Sequence, residues 1–239
     1  APLVRGEPVV TVTSSDTTLL IVSFRPDAPG TRSLTERTPN DGPSGCFYVQ
    51  GVAGRGGTAT LTASAPGHRN TVGVVTVVPA AVRFRGMRTT MTAAVDSQPV
   101  RAEIGYVDQG GLFHAQRVRP GADPIRLTLT VSTPAVASLA TAGGTGATAQ
   151  VAIEAGESTS PLMRRSTDPG ARLRALAAGT TALTIASAPP HVALAPGASL
   201  TVTVTTARVQ APSRGATSCT TLPTPSTPPA PADPRPTCW

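Results

Sequence analysis

The sequence predicts an all-β protein built as tandem β-sandwich modules with an extended, proline-rich C-terminal tail. Three observations carry that expectation. Short Val/Thr-rich runs recur between Gly and Pro punctuation, one such segment occurs twice, and the composition changes abruptly after residue 209. At 239 residues the chain holds two sandwich modules of about 100 residues each. Aromatic residues make up only 3% of it and the sole Trp is the last residue, so each core must be filled by Val, Leu, Ala and Thr.

The strand-like runs are residues 9–13, 19–24, 58–63, 72–78, 126–131, 147–153, 180–186 and 200–205. Strict alternation in Thr58-Ala59-Thr60-Leu61-Thr62-Ala63 and in Leu200-Thr201-Val202-Thr203-Val204-Thr205 turns one face inward and one toward water. A helix is expected only over residues 171–178, where Ala and Leu cluster without punctuation. Turn chemistry sits between the runs at Asn40-Asp41-Gly42-Pro43, Asp108-Gln109-Gly110-Gly111 and Gly143-Gly144-Thr145-Gly146, because Gly accepts the positive φ of tight turns. Residues 103–118 read as one hairpin, and the Gly-rich stretch 51–57 as a hairpin loop.

The segment Gly57-Thr58-Ala59-Thr60-Leu61-Thr62 matches Gly179-Thr180-Thr181-Ala182-Leu183-Thr184. Ala63-Ser64-Ala65-Pro66 then matches Ala186-Ser187-Ala188-Pro189 after one inserted Ile185. Upstream, Val12-Thr13-Ser14-Ser15-Asp16 pairs with Thr130-Val131-Ser132-Thr133-Pro134, again ahead of a Leu/Val-rich run. A Ser/Thr turn, then Gly-Thr-x-x-Leu-Thr-Ala-Ser-Ala-Pro, then a closing Val-Thr-Val strand resembles the bacterial immunoglobulin-like tandem repeats of surface and secreted proteins, over residues 9–207. The resemblance implies two immunoglobulin-like sandwiches, residues 1–79 and 80–209, and leaves function open among stalks, spacers, filament subunits and accessory modules. Paired cysteines around a core Trp, as in antibody domains, are missing.

The two units are unequal. About 50 residues precede the Ser/Thr turn of the second and hardly any precede that of the first, so the first sandwich is expected to lack strands. An open sheet edge is a template for another chain, which makes Val9, Val10, Thr11, Val12 and Thr13 the candidate assembly strand, as donor or acceptor. A smaller sheet, or a fragment of a longer array, is the plainer alternative.

From residue 210 the tail is Pro-, Thr- and Ser-rich, expected to be extended, with Thr221, Thr224, Ser226 and Thr227 as O-glycan candidates. Trp239 is a candidate docking anchor. Of the three cysteines, Cys219 and Cys238 bracket the tail, and a bridge between them would be worth roughly 3 kcal/mol in the chain-entropy view. Cys46 is left over beside Phe47 and Tyr48, as a buried thiol of the first unit or an intermolecular link; pairing with a tail cysteine is the third arrangement.

Several chemistries are not supported. Every one of the 20 basic residues is Arg, which rules out Schiff bases, a P-loop Lys and Lys-Asn cross-links. The net charge of +7 is scattered, with a local cluster only at Arg164, Arg165, Arg172 and Arg174, so nucleic acid is not an expected partner. His68, His114 and His191 fall in no metal-ligand spacing, and Asp96, Asp108, Asp123, Glu103, Glu154 and Glu157 show no Asp-x-Asp-x-Asp pattern, so no metal or other cofactor is expected. No apolar run is long enough to span a membrane. No leader pattern stands at the start, so in an exported protein Ala1 would be the terminus left by cleavage.

The expected function is therefore non-enzymatic: a structural subunit of an extracellular bacterial filament, sheath or surface layer, pairing with itself head to tail or with other surface proteins. The alternative is a monomeric adhesin spacer or a module binding glycans or a host surface. A glycan platform would need Tyr106 and Phe113 side by side on an exposed face.

Overall fold

The computed structural model describes residues 9–37, 46–52 and 56–207. Among them every regular element is a strand. The N-terminal half contributes β1 (Val9–Ser14), β2 (Leu20–Ser23), β3 (Ser33–Arg37), β4 (Tyr48–Gly51), β5 (Gly57–Ser64) and β6 (Thr71–Val77). The C-terminal half begins with β7 (Ala80–Phe84), β8 (Thr90–Thr92), β9 (Ser97–Val100), β10 (Ala102–Val107), β11 (Phe113–Ala115), β12 (Ile125–Val131) and β13 (Ala137–Thr141). It ends with β14 (Gly144–Gly146), β15 (Thr148–Ile153), β16 (Ala171–Ala175), β17 (Gly179–Ser187), β18 (Val192–Leu194) and β19 (Ser199–Thr205).

Among the described residues no ladder crosses between the halves. The first is a sheet in the order β3-β1-β5-β6 facing the pair β2-β4. The second has β15-β12-β17-β19-β8 facing β14-β13-β16-β9, with β11-β10-β7-β18 alongside. Each half has its own core: a small one around Leu20, Val22, Ala59 and Leu61, and a large one in which Leu129, Leu139, Leu173, Ile185 and Val202 are inaccessible to solvent. All eight strand-like runs of the sequence are strands, and in β5, β12, β15, β17 and β19 alternate side chains are buried, as a period of two requires.

Two expectations fail, each for its own reason. Residues 171–178 start as strand β16, in which Ala171, Leu173 and Ala175 point inward while Arg172 and Arg174 face out, a period of two that Ala-rich composition conceals. The stretch 51–57 is not a hairpin loop: β4 pairs with β2, and β5 with β1 and β6, so it carries the chain from one sheet to the facing one. The 103–118 hairpin does form, pairing Gly105 with Ala115 and Val107 with Phe113.

The repeat has a structural meaning. Ser15 N–H donates to Thr60 O, and Thr60 N–H donates back to Ser15 Oγ, both at 2.9 Å. Ser132 does the same with Ala182, again at 2.9 Å in both directions. These bonds align Ser15 with Ser132, one residue away from the match made on sequence, since the ladder partner and not local similarity sets register. The repeated glycine opens β5 and β17 for want of space: a Cβ on Gly57 would lie 3.1 Å from Leu19 Cδ1, and one on Gly179 2.8 Å from Val136 Cγ2. Leu19 and Val136 are themselves equivalent, each one residue ahead of β2 or β13.

One buried carboxylate ties the third sheet together. Glu103, 2% exposed, accepts from Arg83 Nε and Nη2 at 3.2 and 3.1 Å and from Arg85 Nη1 at 2.9 Å. The Arg83 guanidinium also lies 4.0 Å over the Phe113 ring, so both edges of β10 are pinned by one charge network.

Ser15→Ala and Ser132→Ala should each lower unfolding free energy by about 1 kcal/mol, seen as a lower urea midpoint at unchanged slope; unchanged midpoints would show that the paired serines add nothing. Glu103→Ala should cost about 2 kcal/mol or more, because two guanidinium groups lose the carboxylate built between them. Asp27→Ala, at the exposed Arg25 pair, should leave the midpoint where it is.

Candidate assembly interface

The candidate assembly strand is not where the sequence places it. Val9, Val10, Thr11, Val12 and Thr13 form the body of β1, which is paired along its whole length with β3 and, from Thr11 onward, with β5. An interior strand has both ladders engaged, so β1 is neither donor nor acceptor edge. The sheet has two outer strands, β3, which carries Glu36 and Arg37, and β6, an uncharged edge whose inner neighbour is β5 and whose outer side has no ladder among the described residues.

Superposing hydrogen-bond registers makes the asymmetry concrete. Gly57 pairs with Val77 as Gly179 pairs with Val204, and Leu20 pairs with Gly51 as Ala137 pairs with Ala175. Thus β6 corresponds to β19 and β4 to β16. In the C-terminal half both of those strands are covered: β8 runs parallel to β19 and β9 antiparallel to β16. In the N-terminal half, no described strand lies beside β6 or on the outer side of β4.

Exposure follows. Leu173 and Val204 are 0% and 2% exposed, whereas the equivalent Val49 is 42% exposed and Val77 only partly covered. Phe47, where the C-terminal half has fully buried Ala171, is 37% exposed. On its outward face β6 carries Val72 and Val74, the latter 68% exposed, at the positions held by Ser199 and Thr201 in β19. The seven residues of β6, Thr-Val-Gly-Val-Val-Thr-Val, contain no charge and no proline, the devices that usually protect an edge.

Cys46, which the sequence left open as a buried thiol, an intermolecular link or a partner of a tail cysteine, is an exposed free thiol, so the buried reading does not hold. It stands two residues ahead of β4, which has no described strand on its outer side. The remaining sequence candidates, Cys219, Cys238, Trp239, Thr221, Thr224, Ser226 and Thr227, lie outside the described residues, as does the Asn40-Asp41-Gly42-Pro43 turn.

A groove of about 1410 Å3 opens along this uncovered side, lined by Leu20, Val49, Val75 and Val77 and, across from them, by Ile104 and Tyr106. At its rim Asp27 accepts from Arg25 at 2.8 and 3.0 Å, and that bond holds its carboxyl below the ordinary range. Tyr106 stacks on His114 with ring centroids 4.9 Å apart. Register puts Phe113 opposite Val107, on the other face of the hairpin. Tyr106 and Phe113 therefore do not make the aromatic platform a glycan site would need.

Three of the carboxylates and arginines singled out in the sequence bond to separate partners. Asp96 accepts from Thr92 N–H, Asp108 from Leu112 N–H, and Arg172 donates to Met163 O and Ser97 Oγ. Among the described residues no three His, Cys, Asp or Glu side chains gather as a metal site, and no helix is long and apolar enough to cross a membrane.

No family model matches the sequence, and no curated protein matches it. Among solved structures, the crystal structure of the S-layer protein SbsC domains 4 and 5 aligns with 82% of this chain and 75% of that chain, at a TM-score of 0.33 and 13% identity. A likeness of that degree leaves the architecture to be read from the strand ladders themselves.

The hairpin wall should respond to acid. His114 Nε2 lies 2.6 Å from Asp108 Oδ2, and this bond, followed by that from Leu112 N–H, holds the Asp108 carboxyl below its ordinary value of 3.8. A depressed carboxyl stabilises the turn above its ordinary pKa and loses that effect as pH falls through the lowered one. Amide exchange at the hairpin tip should therefore speed up between about pH 5 and about pH 2 beyond the intrinsic rate change. Asp108→Asn should abolish that excess; an identical profile in the variant would assign it to another group.

Proposed function

We propose that this chain is a non-enzymatic structural subunit of an extracellular bacterial filament, sheath or surface layer, and that it assembles by completing open β-sheet edges between copies. On this reading it consists of two bacterial immunoglobulin-like modules, residues 1–79 and 80–209, and a tail, residues 210–239, whose cysteines and terminal Trp239 serve as staple and docking anchor. The single observation that supports it most is β6: seven uncharged residues at a sheet edge, with Val72 and Val74 turned to solvent where the repeat partner has Ser199 and Thr201.

Edge pairing suits assembly because backbone hydrogen bonds give it direction and register while apolar burial supplies most of the free energy. A contact between different surfaces of successive copies propagates without closing. Cys46, exposed beside the uncovered strands, is placed for a covalent link once two copies are in contact. The loops of the described residues bring together no nucleophile with a base, so nothing in them favours an enzymatic reading.

Light scattering at neutral pH, followed by negative-stain imaging, should show species well beyond a dimer. Val74→Arg should abolish them while leaving the circular dichroism of the chain intact, since a charge on an edge strand blocks pairing. Dissociation by reductant would assign Cys46 to the contact, and persistence would leave the edges alone to hold it. A monomer under all conditions would overturn the proposal in favour of a spacer module.

A further inference from the structure

The C-terminal half shows what chemistry the uncovered side of the N-terminal half is built to take. There, β8 runs parallel to β19 with Met91 opposite Val204, and the chain then crosses from one sheet to the facing one. The crossing is anchored by Ala94 N–H donating to Ala175 O and Ala175 N–H donating to Asp96 O, each at 3.1 Å. β9 continues along β16, setting Gln98 opposite Leu173 and Val100 opposite Ala171. Met91, Gln98 and Val100 are all buried, and the Gln98 amide bonds both Arg88 N–H and Arg88 O, at 2.9 and 2.8 Å. One short segment thus closes two sheet edges and plugs the core between them.

The residues that receive that segment have register equivalents in the N-terminal half, where no described strand takes its place. Val77 stands for Val204, Gly51 for Ala175, Val49 for Leu173 and Phe47 for Ala171, in the registers given above. β4 and β6 carry no charge, and neither do β8 and β9. The chain's own copy of the segment is held in its own sheets, so it is not free to serve twice.

We infer that the N-terminal half takes, in trans, an extended segment of a neighbouring polypeptide whose two strands carry no charge: a Met- or Leu-sized side chain between two small polar residues, parallel to β6 beside Val77, followed by a crossing onto β4. This rests on the reading of the open edges as assembly edges and adds the strand direction, the register and the side-chain pattern of the partner. The apolar side chain enters between Val49 and Val77, and the crossing supplies amide partners to Gly51. The partner's second strand then lies antiparallel to β4, over Phe47 and Val49.

A labelled synthetic peptide of residues 88–101 is the probe, titrated into the full chain below the concentration at which it associates and followed by fluorescence anisotropy. Saturable binding is expected, weakened about tenfold or more by Met91→Asp in the peptide or by Val77→Arg in the protein. Thr201→Arg, on the outward face of β19, should leave it unchanged. Bound peptide should slow amide exchange at residues 47–51 and 76–78. Absence of saturation, equal binding of a scrambled peptide, or protection at residues 203–205 instead would overturn the inference, the last because the peptide would merely be replacing β8. Binding by a chain that never polymerises would sink the filament reading alone, and polymers that ignore the peptide would sink this inference alone.

Discussion

The structure depends on one repeated junction, where β1 and β12 each end against the strand that begins with the repeated glycine, β5 and β17. A serine hydroxyl reaches across to a backbone N–H while its own N–H returns the bond, and the glycine beside it lets a Leu or Val side chain press within about 3 Å of where a Cβ would be. That close approach brings the strand that begins with the glycine against the start of the facing sheet, since Leu19 and Val136 each stand one residue ahead of β2 or β13. It also sets the register from which the alternation of buried and exposed residues follows. Because the same junction occurs at Ser15 with Gly57 and at Ser132 with Gly179, the halves share one ladder plan although their cores differ greatly in size.

What separates the halves is how their edges are finished. In the C-terminal half a single segment bridges the two sheets, and the residues beneath it are inaccessible to solvent. In the N-terminal half the equivalent valines face a groove. A valine left half-covered forfeits part of the roughly 25 cal/mol per Å2 that its burial would supply, and an unpaired strand edge offers its N–H and C=O groups to whatever chain arrives. Both deficits are met by the same event, the arrival of a strand, which is why the open face, the uncharged edge and the outward valines belong to one explanation.

Much of the architecture was legible in the sequence because it rests on local alternation. The run Gly179-Thr180-Thr181-Ala182-Leu183-Thr184 could be read as a strand, and as a copy of residues 57–62, without knowing what lay beside it. The same reasoning failed at residues 171–178, where two arginines alternate with Ala and Leu and composition masks the period. It failed at 51–57, where glycines suited to a hairpin turn serve a passage between sheets. The unequal length of the two units led to the expectation of fewer strands in the first, and no described strand lies beside β6 or on the outer side of β4. Assigning the exposed edge to Val9, Val10, Thr11, Val12 and Thr13 did not follow, since being first in the chain is not being first in the sheet.

The sequence by itself determined that this is an all-strand protein with a repeated unit and few groups able to do chemistry, since side-chain period and residue type are local properties. Only the tertiary structure decided that β1 is interior and β6 is the edge, that Ser15 rather than Ser14 matches Ser132, and that Cys46 is exposed. Those facts depend on which distant strand lies alongside, and non-local hydrogen bonding leaves no mark on the spacing of residues along the chain.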